Sequence, residues 1–113
     1  MMRQLKENSS NVTMDDFIKS LDSSSPDSVP GDVLKALWWD KKGDWDFAHS
    51  IAQAIPTALG SAIHAYLHRE EGADWNADHW YSHAGRKRFS GSLEEEWRAL
   101  VEEALQFYRQ DLP

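Results

Sequence analysis

A chain of 113 residues, 41% hydrophobic and 12% aromatic, fits one domain with a small core, and 19 acidic against 12 basic residues leave a formal charge of −7. That balance argues against an electrostatic grip on nucleic acid or anionic lipid. The absence of cysteine excludes disulfides, thiolate nucleophiles, iron–sulfur clusters and cysteine zinc sites, and no apolar run matches a signal peptide or membrane span, so a cytoplasmic protein is expected.

Apolar residues recur at i, i+3, i+4, i+7 from Met14 to Leu112 and no stretch sustains strand alternation, which makes the fold class all-α. Residues 1–12 read as a flexible N-terminus, 13–31 as a short helix and linker, and 32–113 as a helical-hairpin domain. Thr13 with Asp16 resembles a cap for the short helix, which carries Phe17, Ile18 and Leu21 on one side. Asp32 is the expected N-cap of a helix bearing Val33, Leu34, Leu37 and Trp38, stopped by Gly43; Asp44 starts the next, with Trp45, Ala48, Ile51, Ala52 and Ile55 on its stripe. A fourth helix runs from about Thr57 to Glu71 on Leu59, Ile63, Tyr66 and Leu67. Asp74 is expected to cap a fifth, which ends at Gly85. Ser92 and Glu95 form a capping box for a C-terminal capping helix, whose stripe includes Trp97, Leu100, Val101, Ala104 and Leu105.

"KKGDWDFA" and "EEGADWNA" place Gly43 against Gly72 and Ala48 against Ala77, both 29 residues apart. Gly supplies a left-handed turn and the small Ala lets the returning helix approach closely. With Ala65, Tyr81 and Ala84 in register, the second unit resembles the tetratricopeptide repeat; the first has Ala52 and Ile55 at the matching positions, and the spacing is shorter than the roughly 34-residue period of that repeat. Antiparallel tetratricopeptide-like hairpins are the expected architecture.

"ALWWDKKGDWDFAHSIAQ", "HAYLHREEG", "NADHWYSHAGR" and "EEWRALV" together resemble a family of small bacterial proteins with no assigned activity, over roughly residues 36 to 101. His49, His64 and His68 sit in matching motifs. His79 and His83 depart, because that family's pattern has Tyr-Trp-Tyr then Arg-Arg there.

Four of the five histidines fall between residues 61 and 85. His64, His68 and Glu71 have i, i+4, i+7 spacing, and two imidazoles one turn apart can hold one metal. Position 65 is Ala, so the zincin motif and its general base are missing. At about 100° per residue, His64 and His68 lie opposite their helix's apolar stripe, and so do His79 and His83, which predicts solvent-facing or interface-facing imidazoles and no four-histidine site. His49 flanks its stripe beside Gln53, where burial is partial. One functional alternative has His49, His64 and His68 lining a single groove.

Trp38, Trp80 and Trp97 are expected in the core, whereas Trp39 and Trp75 fall off the stripes and could anchor an interface. The acidic run 94–96 reads as a helix-dipole feature, and Arg86, Lys87 and Arg88 as a basic loop past a helix end. The first functional expectation is a non-enzymatic helical-repeat module that binds a protein or peptide, or a second copy of itself, through a surface of His49, Gln53, His64, His68, Glu71, Trp39, Trp75 and Arg86. No cofactor, nucleic acid or membrane is implied. The second is a small-ligand or metal-binding protein, conceivably a hydrolase, with a His-lined groove and His64, His68 and Glu71 as the metal candidates.

Overall fold

The computed structural model describes residues 12–110. In that range the chain forms six helices and no strand: α1 (Met14–Ser20), α2 (Gly31–Lys41), α3 (Trp45–Gln53), α4 (Ala58–Glu70), α5 (Asp74–His83) and α6 (Leu93–Gln110). The all-α class follows. The flexible segment expected over 1–12 lies, Val12 apart, outside the described residues. None of the described helices is long and apolar enough to cross a membrane.

Local chemistry sets the helix starts. Thr13 and Asp16 close a reciprocal capping box on α1, each bond 3.1 Å, and Ser92 and Glu95 do so on α6 at 3.0 and 2.8 Å. Asp44 caps α3 by accepting from the Phe47 N–H, and Thr57 caps α4 by accepting from the Gly60 N–H. Two expected caps shift. Asp32 lies in the first turn of α2 after Pro30, and Asp74 is the first residue of α5 after Ala73; neither Pro30 nor Ala73 caps through a side chain. The cause at Asp74 is the turn itself, because the residue directly after the turn glycine becomes the N-cap, and here that residue is Ala73 rather than an Asp.

The two turns are chemically equivalent. The N–H groups of Lys42, Gly43 and Asp44 donate to the carbonyls of Trp38, Asp40 and Trp39, and those of Glu71, Gly72 and Ala73 donate to Leu67, Arg69 and His68. Every donor and acceptor is displaced by the same 29 residues, and Gly43 and Gly72 take φ values of +95° and +85°.

α4 is the centre of the molecule and packs against α2, α3, α5 and α6. All nine residues from Gly60 to His68 are buried. Their small members explain this: Gly60, Ser61, Ala62 and Ala65 let neighbours approach on the faces that the apolar stripe leaves free, and a Cβ on Gly60 would meet the Ile55 carbonyl at 2.5 Å. Phe17, Leu34, Leu37, Trp38, Trp97 and Leu105 fill the main core. The indole N–H of Trp97 donates to Leu37 O (3.0 Å), tying α6 to α2, and that of Trp38 donates to Ser20 O (3.2 Å), tying α2 to α1.

Candidate metal centre

The enclosure of α4 overturns the solvent-facing expectation for its histidines. His64 is 5% and His68 7% exposed. The face opposite the apolar stripe is not open: α3 brings Trp45 and His49 against it, and α5 brings Trp80. His79 and His83 remain exposed on α5, so no four-histidine site forms. Instead His49, His64 and His68 converge, each offering a ligand atom, with all three atoms within 4.8 Å of one another.

Within the cluster, His49 Nε2 and His64 Nε2 lie 2.9 Å apart. Two ring nitrogens at hydrogen-bond distance share one proton, so one imidazole donates and the other presents a lone pair. His68 Nδ1 is 2.8 Å from Glu71 Oε2. A carboxylate beside Nδ1 holds the proton on that nitrogen and leaves Nε2 as the lone-pair donor. Glu71, a metal candidate only in the second sequence reading, is not in the converging group and instead pairs with His68.

Indole rings fix two of the three imidazoles. Trp45 stacks on His49 with centroids 4.8 Å apart and planes at 13°, and Trp80 stacks on His64 at 4.1 Å and 17°. The Trp45 N–H donates to Leu67 O (2.8 Å), which pins α3 to α4 beside the cluster. Trp80, expected in the core, is half-buried and serves as this wall. Sequence reading missed both roles, although Trp45 and His49 are one turn apart on the same helix and such pairs meet.

Burial pushes the His64 imidazole down to about 4, helped by the neighbouring His49, His68 and His79. His49 is lowered as well, first by burial and then by His68, while Glu71 and Asp46 act in the opposite direction. Both shifts favour the neutral rings of His49 and His64, the form in which imidazole binds a cation.

The other residues of the expected surface scatter. Gln53 is exposed and lines a cavity of about 440 Å³ with Ser61, Trp80 and His83, in which Ser61 Oγ and His83 Nδ1 are 3.3 Å apart. Trp39 is half-buried and packs edge-on against Trp38 and Phe47, with centroids at 4.9 and 5.0 Å. Trp75 is 83% exposed. Arg86 makes a bidentate pair with Glu103 at 3.0 and 2.7 Å, and Arg88 one with Asp78 at 2.9 and 2.7 Å, so both arginines of the basic loop are paired with carboxylates. Glu96 departs from the dipole reading: it is 3% exposed and accepts from Arg69 (2.8 Å) and from the Tyr81 hydroxyl.

Compared with family models, curated proteins and solved structures, the chain matches none.

Proposed function

We propose that the protein binds one divalent transition-metal ion through His49, His64 and His68, and we extend this reading to the small bacterial family that its motifs resemble. The observation that carries it is the convergence of three imidazoles from two helices with their ligand atoms within 4.8 Å. Zinc–nitrogen bonds of about 2.0–2.1 Å in a tetrahedral site set ligand nitrogens roughly 3.3 Å apart. The His49–His64 separation of 2.9 Å has to open by a few tenths of an ångström to reach that spacing, whereas a pair at the 4.8 Å limit has to close by about 1.5 Å through side-chain rotation. An all-imidazole set suits zinc, copper, nickel or ferrous iron and disfavours magnesium and calcium, which require oxygen ligands. Elemental analysis of protein purified without a histidine tag is the test. One ion per chain, lost in a folded His68→Ala variant, is the expected result; no stoichiometric metal and no thermal shift with zinc, nickel, copper or cobalt would overturn the reading.

A second reading is a tetratricopeptide-like interaction module. The equivalent turns support it, as do Trp75 at 83% and Phe47 at 46% exposure near the starts of α5 and α3. Side chains of this kind anchor protein interfaces. Identical partner sets for wild type and a folded Trp75→Ala, Phe47→Ala variant in a pull-down would remove that surface from consideration.

A further inference from the structure

The imidazole cluster supplies three ligands and no fourth. Among the described residues the group comprises His49, His64 and His68 alone, and the carboxylate that touches it, Glu71, is engaged by His68 Nδ1. Metal sites that only hold a fold are closed by four protein ligands, whereas sites with three keep a position for water. Access is one-sided. His64 and His68 are buried and the rings of Trp45 and Trp80 cover two imidazole faces, while His49 is half-buried and opens to solvent.

Resting on the metal reading above, we propose that the ion's fourth position carries an exchangeable water and that the centre hydrolyses small carbonyl compounds such as simple esters. Zinc lowers the pKa of a bound water to about 7, so metal-bound hydroxide is available at neutral pH. The hydroxide oxygen attacks the carbonyl carbon, and the carbonyl π electrons move onto its oxygen. Collapse of that adduct breaks the bond to the alkoxy oxygen, which leaves with the electron pair and takes up the proton of the acid just formed. Carboxylate departs, a second water binds the ion, and loss of its proton to solvent restores the hydroxide. Water and ester thus give carboxylate, alcohol and one proton, with no oxidant or reductant. Because Trp45 and Trp80 cover two imidazole faces, a substrate would have to be compact to reach the ion past the half-buried His49.

The experiment loads untagged, metal-free protein with zinc in steps up to one equivalent and follows p-nitrophenyl acetate hydrolysis, with free zinc at the same concentrations as control. The expected result is a rate that rises to one equivalent and exceeds both free zinc and metal-free protein at least tenfold. Cobalt-loaded protein is then titrated with azide, and a shift of its visible absorption is expected because azide replaces the water. Zinc uptake at one ion per chain with hydrolysis no faster than free zinc overturns the hydrolase and leaves the metal reading intact. A cobalt spectrum unmoved by azide overturns the open position. Failure to take up either ion overturns the hydrolase, and the metal reading falls with it if nickel and copper are not taken up either. Should His64→Ala fail to fold, His49→Ala, altered at the half-buried ligand, must lose the zinc-dependent rate while retaining its helical circular dichroism; an unchanged rate overturns the proposal.

Discussion

At the residue scale the decisive contact is the 2.8 Å bond between Glu71 and His68 Nδ1, because it sets which nitrogen of a buried imidazole is free. Glu71→Gln keeps the shape but weakens the acceptor that orients the ring. Metal affinity should fall by roughly 10- to 100-fold, read by competition against a chromophoric chelator; an unaltered affinity would show that Glu71 does not position the ligand. His64 gives a pH dependence to the metal-free protein. Its folded-state pKa is lowered from 6.5 to about 4, so on acidification the unfolded chain takes up a proton that the folded chain still refuses. Stability therefore rises with pH across that window and is lost as pH falls from about 6.5 to about 4, by at most about 3 kcal/mol. Urea denaturation between pH 7 and 4 checks this, and His64→Gln should flatten the profile.

At the element scale the glycines separate two physical costs. Gly72 sits at φ +85° with open space where a Cβ would go, so Gly72→Ala should cost only the left-handed backbone, about 1–2 kcal/mol. Gly60 has ordinary helical geometry but would drive a Cβ into the Ile55 carbonyl. Alanine there gains up to about 1 kcal/mol in helix propensity and must still displace the turn before α4. We expect Gly60→Ala to be the more destabilising of the two in urea denaturation; a stabilised Gly60→Ala would contradict the close approach of Ile55 to α4. The shared turn chemistry was legible from the Gly-to-Ala spacing alone, since a left-handed residue followed by a returning helix admits few residue types. The N-cap positions were less legible, because Asp74 serves equally well as a cap or in a first turn.

For the whole molecule, the site depends on how α3 and α5 close over α4. His49 is the only ligand from α3, so an ion would bridge two helices and bind the folded state in preference to the unfolded chain. At a free-ion concentration about 100 times the dissociation constant, that preference is worth about 2.7 kcal/mol. The expected outcome is a rise in Tm on the order of 10 °C on adding zinc, reversed by chelator and absent in His64→Ala. A Tm that does not respond to zinc would show that the three imidazoles hold no zinc in the folded protein.

The sequence by itself determined the helices, their stops at Gly43, Gly72 and Gly85, the capping boxes at Thr13 and Ser92, and the burial of Trp38 and Trp97. These follow from periodicity and backbone chemistry, which act over a few residues. It also isolated His49, His64 and His68 as chemically capable residues. Tertiary structure alone decided that they meet. A helical wheel assigns one apolar stripe to α4 and calls the opposite face free, but small side chains at Gly60, Ser61, Ala62 and Ala65 let neighbours enclose the helix on every side. Whether an imidazole faces water or two other imidazoles depends on which helix lies across from it, and that is a property of packing between segments distant in the chain.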